Sequence, residues 1–285
     1  MRFLCLHGTG TNAAILRQQF ISIHNQATDL GHTFEFIDGF YTSGPGAGIQ
    51  HYFPDGPYYT WWPEPTVENI REACKKLREF FETNRHTPFE GILGFSRGSL
   101  LIASYLLFHN AETPHEPLPF KAAVFLCGGP VLPVLESLGV EVSPVTWDWD
   151  RRTKRALRER ASVKAILKSG RDRWTTPGEN GDNELNIDPF AEIDPRNVFG
   201  FDSTKLSSRL RIGIPTLHVY GKVDPRFPAA MQLLHLCDPE TRLSFMHEGG
   251  HNIPKNPHAA GNIAHLLDSL ARKATAAGDN TLLPN

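Results

Sequence analysis

The sequence predicts an α/β protein: a mostly parallel sheet of about six strands, flanked by helices, with a cap inserted between late strands. Three observations lead there. Short apolar runs alternate with longer stretches of helical periodicity up to Cys127 and again after Arg211. The run Ala122 to Cys127 is uniformly apolar, as a central parallel strand covered on both faces should be. Between Val131 and Arg211 the alternation breaks down. A chain of 285 residues is an ordinary length for one such domain, so residues 1–285 are read as a single unit.

Arg2 to Leu6 is a short apolar run that ends in His7-Gly8-Thr9-Gly10-Thr11-Asn12, a strand feeding a loop. The helical stretch Ala13 to Leu30 completes the first β-α unit, and Thr33 to Ile37 is the next strand. Residues 38–65 then hold five Gly and five Pro, with Phe40, Tyr41, Tyr52, Phe53, Tyr58, Tyr59, Trp61 and Trp62 among them. A connection that long without regular structure is functional or disordered, and the aromatic density argues against disorder. We read it as a loop that also walls a pocket; a loop merely plastered on the core by its aromatics is the alternative. Thr66 is the expected N-cap of a helix whose Val67, Ile70, Cys74, Leu77 and Phe81 make one buried stripe.

Phe89 to Leu93 points into Gly94-Phe95-Ser96-Arg97-Gly98, and a helix-like stretch from Leu100 to Phe108 follows. Past Ala122 to Cys127, the segment 131–211 carries Trp147, Trp149 and Trp174. It also has a charged helix-like run, Asp150 to Lys168, and a polar passage, Thr175 to Asp188. Such a unit has little core of its own, so it is expected to lie over the sheet as a cap or lid. Strands Pro215 to Tyr220 and Leu243 to Met246 alternate with helices Pro228 to Leu236 and Pro257 to Leu270. Residues 274–285 read as a flexible tail.

Composition narrows the class. Apolar residues make up 40% and charged residues 21%, with 29 basic against 31 acidic side chains, which suits a soluble globular protein. A net charge of −2 gives no sign of nucleic acid or an anionic membrane as partner. No apolar run reaches the ~18 residues of a membrane span. Met1 to Gly8 is too short to be a secretory signal before the first strand. Cys5, Cys74, Cys127 and Cys237 are widely and irregularly spaced, so they read as buried reduced thiols in a cytoplasmic protein. Nothing in the pattern sets an oligomeric state.

The chemistry gathers at the strand ends. Gly-x-Ser-x-Gly between a strand and a helix is the setting of a nucleophile elbow, although a capping serine in an ordinary turn would look the same. A nucleophilic Ser96 needs a base and a carboxylate to orient that base. Asp224 lies four residues past one strand end, in Tyr220-Gly221-Lys222-Val223-Asp224. His251 lies just past the next strand, in His247-Glu248-Gly249-Gly250-His251, with His247 as the rival base. The order Ser, Asp, His and the strand each follows match an α/β-hydrolase triad. The backbone N–H groups of Arg97 and Thr9 are the expected oxyanion donors, and His7 is expected to brace their loop. Metal binding has little support, there being no H-E-x-x-H and no clustered Cys/His spacing. Gly8-Thr9-Gly10 is a weak match to a dinucleotide fingerprint, and no cofactor is expected.

Leu6-His7-Gly8, Gly94-Phe95-Ser96-Arg97-Gly98, the aspartate after Tyr220-Gly221, Gly249-Gly250-His251-Asn252-Ile253-Pro254 and Gly56-Pro57-Tyr58-Tyr59-Thr60-Trp61-Trp62 together resemble the fungal FSH-type serine hydrolases of the α/β-hydrolase superfamily. The likeness covers most of residues 1–270 and is weak across 131–210. It implies acyl transfer to water, as in the carboxylesterases and polyketide chain-releasing thioesterases of fungal secondary metabolism. We therefore expect a serine esterase or thioesterase whose small-molecule acyl substrate is apolar or aromatic, free or carried on an acyl carrier protein. Tyr58, Tyr59, Trp61, Trp62, Trp147, Trp149 and Trp174 are its candidate binding residues. A non-catalytic ligand-binding protein of this fold, or an enzyme using the same pocket for cyclisation or C–C cleavage, stays open.

Overall fold

The computed structural model describes residues 1–175, 185 and 187–279. Most of the polar passage Thr175 to Asp188 and residues 280–285 of the expected tail lie outside the described residues. In chain order the elements are β1 (Arg2–Leu6), α1 (Ala13–Asp29), β2 (Thr33–Ile37), β3 (Tyr41–Ser43), α2 (Ile49–Tyr52) and β4 (Tyr58–Thr60). Then come α3 (Val67–Thr83), β5 (Gly91–Phe95), α4 (Arg97–Glu112), β6 (Ala122–Leu126), α5 (Leu132–Ser137), α6 (Pro144–Ala161) and α7 (Val163–Ser169). A 3-10 turn (Gly170–Trp174) follows, then β7 (Thr216–Gly221), α8 (Phe227–Leu236), β8 (Arg242–His247) and α9 (Pro257–Asp279).

Six strands form one sheet in the order β2-β1-β5-β6-β7-β8, every neighbouring pair parallel. The period of two splits the strand side chains between two cores. Leu4, Leu6, Ile92 and Phe125 face α3, α4 and α8, while Phe3, Cys5, Leu93 and Val124 face α1 and α9. Burial on both faces is what made these strands read as continuous apolar runs. The helix starts follow local chemistry: Asn12 accepts from the Ile15 N–H and Thr66 from the Asn69 N–H, capping α1 and α3. Among the described residues no helix is long and apolar enough to cross a membrane.

Two regions differ from the sequence expectation. Residues 38–65 are not without regular structure, because β3 and β4 pair antiparallel, Tyr41 opposite Thr60 and Ser43 opposite Tyr58. Strands of three residues are too short to show alternation between so many glycines and prolines. The last helix runs past Leu270 to Asp279, carried on by Ala274, which is buried in the same stripe as Leu267 and Leu270. The inserted helical cap spans about residues 140–215, between β6 and β7. The preceding α5 sends Leu132, Val134 and Leu135 into the core beside the sheet.

Candidate active site

A parallel sheet gathers its carboxyl strand ends along one edge, and β5, β7 and β8 each deliver one polar side chain there. Ser96 follows β5 directly, with φ 51° and ψ −112°, a left-handed conformation that a side-chain-bearing residue adopts only under constraint. The two glycines of its motif are forced. A Cβ at Gly94 would lie 2.4 Å from the Gly98 carbonyl carbon, and one at Gly98 would lie 2.2 Å from the Leu6 carbonyl oxygen. The Ser96 N–H donates to the Leu126 carbonyl at 2.8 Å, fixing the turn to β6. Ser96 stands at the N-cap position of α4, yet its side chain makes no capping bond. Its hydroxyl instead lies 2.9 Å from Nε2 of His251.

His251 reaches the edge from the loop after β8, and its Nδ1 lies 2.8 Å from Oδ2 of Asp224. A carboxylate can only accept, so Nδ1 carries the proton, leaving Nε2 to accept from the Ser96 hydroxyl. The other oxygen, Oδ1, accepts the Arg226 N–H at 2.8 Å. Burial would raise the Asp224 carboxyl, but the His251 ring, the Arg226 N–H and the Arg226 guanidinium outweigh it and hold it below the usual range. The rival His247 ends β8, buried, with Nδ1 accepting the Gly249 N–H and Nε2 finding no hydrogen-bond partner among the described residues. Burial lowers its pKa, and it makes no bond to Ser96 among the described residues.

Sequence reasoning left Cys127 as one buried thiol among four. It follows β6 at φ 49°, and its Sγ lies within 4.8 Å of donor atoms of Asp224 and His251. Burial and the Asp224 charge push its pKa well up. These three are the one His/Cys/Asp/Glu group among the described residues spaced for a metal, but His251 and Asp224 already bond each other there. The signal available in sequence was only that Cys127 closes a strand beside the one carrying Ser96.

The β1–α1 loop passes over the serine: a Cβ at Gly8 would sit 3.5 Å from the Ser96 Cβ. His7 braces this loop, with Nε2 accepting the Gly39 N–H at 2.8 Å and Nδ1 lying 2.7 Å from the Gly8 carbonyl. Burial lowers its pKa, so it stays neutral. Thr9 is exposed in that loop, and the loop is pinned by Gly10 N–H to Tyr59 O at 3.1 Å and Tyr59 N–H to Thr11 O at 2.7 Å. Arg97 opens α4, its guanidinium donating to Thr60 Oγ1 at 2.6 Å and lying over Trp62.

The aromatic candidates divide. Trp61 and Trp62 are 0% and 1% exposed, and Trp61 Nε1 donates to the His7 carbonyl at 2.8 Å. Tyr58 donates to the Phe53 carbonyl, and Tyr59 is half-buried in β4. In the cap, Trp147 donates to Glu136 Oε1 at 2.9 Å, and Trp149 meets Phe199 edge-on. Trp174 lies against Gly250, beside His251. The aromatic stretch 58–62 thus holds the β1–α1 loop from below.

A fold of this kind with serine, histidine and aspartate joined at the strand edge defines the serine hydrolase class. The chain belongs to the serine hydrolase (FSH1) family, whose profile matches residues 1–263. It is similar to the hydrolase FUB4 of Fusarium oxysporum f. sp. lycopersici, 30% identical over 287 residues covering 94% of this chain and 97% of the relative. The esterase FPY3 of Fusarium mangiferae is 26% identical, with 96% and 98% covered. The esterase alnB of Emericella nidulans is 28% identical, with 90% and 91% covered.

Proposed function

We propose that this protein hydrolyses an ester or thioester of a small apolar or aromatic acyl group through an acyl-enzyme on Ser96. The observation that carries the reading is the unbroken hydrogen-bonded line from Ser96 Oγ through His251 to the buried Asp224. In the first step Oγ attacks the acyl carbon as Nε2 of His251 takes the hydroxyl proton, and Asp224 stabilises the imidazolium formed. His251 then returns that proton to the departing alcohol or thiol. Water, deprotonated by the same nitrogen, attacks the acyl-enzyme and frees the acid. The N–H groups of Arg97 and Thr9 face the developing oxyanion in this scheme.

The names esterase FPY3 and esterase alnB, borne by relatives similar over nine-tenths of the chain or more, support ester cleavage. The half-buried Trp147 and Trp149 rings of the cap are the surfaces offered to the acyl chain. An intact triad argues against a purely ligand-binding role. Steady-state hydrolysis of p-nitrophenyl esters and of N-acetylcysteamine thioesters tests the reading. Ser96→Ala should lower kcat by roughly 10³- to 10⁴-fold on both. Retained turnover in that variant refutes the assignment. A carrier-bound thioester is the preferred substrate form if kcat/KM rises at least ~tenfold when the same acyl group is presented on an acyl carrier protein rather than on the short thiol.

A further inference from the structure

Two contacts tie the inserted cap to the loops that carry Asp224 and His251. The first runs through Arg226, two residues past the acid. Its backbone N–H donates to Asp224 Oδ1 at 2.8 Å, while its guanidinium enters the cap. There Nη2 bonds Asp150 Oδ1 at 2.9 Å, and Nη1 bonds Thr153 Oγ1 at 2.6 Å and the Asp150 carbonyl at 3.1 Å. Arg226, Asp150 and Thr153 are 7%, 8% and 1% exposed, so the ion pair is taken out of water. A buried pair adds little stability over an apolar pair of the same shape, so stability alone is a poor reason for its presence.

The second contact is made by Trp174, at the end of the cap's 3-10 turn. A Cβ built on Gly250 would stand 2.4 Å from two ring carbons of Trp174, so the indole packs directly on the peptide before His251. Gly250 has no positive φ; the ring, not the backbone conformation, excludes a larger residue there. On the other side, a Cβ at Gly221 would lie 2.2 Å from the carbonyl oxygens of Gly249 and Gly250. The histidine loop is therefore held between the end of β7 and the indole. Arg160 of α6 donates to the Trp174 carbonyl at 2.7 Å, joining the two contacts through one cap helix.

We propose that the cap positions the triad: Asp150 fixes the acid's turn through Arg226, and Trp174 fixes the base's loop through Gly250. Asp150, Arg226 and Trp174 are positioning residues, and Trp174 acts on His251 rather than on the acyl chain. The proposal rests on the triad reading given above. It predicts that loosening either contact lowers kcat evenly across substrates, since both contacts act on the proton-transfer geometry and neither on the acyl group.

The test is a size-exchange cycle in the full-length protein, read as kcat and KM on p-nitrophenyl acetate and octanoate. Near-UV circular dichroism, with rates taken well below Tm, keeps the comparison among folded proteins. Gly250→Ala should lower kcat by ~10- to 100-fold on both esters with KM little changed, because the new methyl drives the loop off the indole. Adding Trp174→Ala should recover a few-fold of that loss by making room for the methyl, and should stop short of wild type because the indole that holds the loop is gone. Trp174→Phe should stay within a few-fold of wild type. Asp150→Leu with Arg226→Met removes both charges of the buried pair. It leaves only Lys154, which also bonds Asp150 at 2.7 Å and is exposed enough for water to replace that bond. The double variant should lower kcat ~tenfold while Tm holds or rises. The proposal is overturned if Trp174→Ala gives Gly250→Ala no relief, or if Trp174→Ala changes the ratio of rates on the two esters. It is equally overturned if the charge-free pair turns over as wild type. Ser96→Ala, assayed alongside, separates the two claims: activity there sinks the triad reading whatever the cap variants do.

Discussion

Replacing Asp224 by asparagine isolates the carboxylate's charge from its place in the fold. The amide oxygen of the new side chain can still accept the Arg226 N–H, as Asp224 Oδ1 does at 2.8 Å, so the turn after β7 should persist. What changes is the side facing His251. An amide NH₂ there cannot accept from Nδ1–H, so the imidazole turns to the tautomer that presents N–H to Ser96 and can no longer take its proton. The lost charge also counts. The 2.8 Å contact between Oδ2 and Nδ1 sets the charge centres of carboxylate and imidazolium about 4 Å apart. An effective dielectric of about 20 then gives roughly 4 kcal/mol of attraction that only the protonated ring enjoys. At about 1.4 kcal/mol per decade this is near 10³ in kcat, with the tautomer effect adding to it. The assay is kcat for p-nitrophenyl ester hydrolysis at neutral pH, on protein whose fold is checked by circular dichroism. An Asp224→Asn protein within tenfold of wild type would refute the reasoning.

His251→Ala should cost at least ~10³-fold in kcat, while His247→Ala stays within a few-fold when rates are referred to folded protein; the opposite pattern makes His247 the base. Trp61→Ala, which empties a fully buried site, should lower stability by about 3 to 5 kcal/mol in urea titration, and a loss below about 1 kcal/mol would contradict its place in the core. Trp149→Ala should shift relative kcat/KM between short and long acyl esters by about tenfold with Tm little changed, and an even loss across chain lengths would remove it from the pocket. Burial lowers the His218 pKa to about 3, so its ring stays neutral in the fold while the unfolded chain takes a proton below about 6.5. Its contribution is complete above that pH and drains away as pH falls, by up to about 1.4 kcal/mol per pH unit. His218→Phe should therefore flatten the fall in Tm between about pH 6 and 4, and an unchanged slope would contradict the neutral ring.

The inner strands β5, β6 and β7 were legible because both their faces are buried, which leaves no polar alternation to blur them. The places of Ser96, Asp224 and His251 at one edge follow from chain order, since parallel strands put their carboxyl ends together. What sequence could not carry is contact between distant segments. Arg226 and Asp150 meet across 76 positions, and nothing local marks either as buried. Trp61 and Trp62 look the same in sequence whether they line a pocket or lie under one, and only their burial separates the two. Nothing local marks Gly250 as a packing site either: a Cβ there would stand 2.4 Å from the Trp174 ring, which comes from 76 positions earlier in the chain. The β3–β4 hairpin was hidden because its register is fixed by pairing rather than by any pattern within three residues.

The proposed chemistry depends first on Ser96 being a nucleophile activated by His251. It is tested most directly by intact mass and peptide mapping after reaction with a fluorophosphonate, which bonds covalently to an activated serine. One adduct per chain is expected, mapped to Ser96, lost in Ser96→Ala and slowed at least ~10³-fold in His251→Ala. An adduct on another residue, or ester hydrolysis that persists with Ser96 unlabelled, would contradict it.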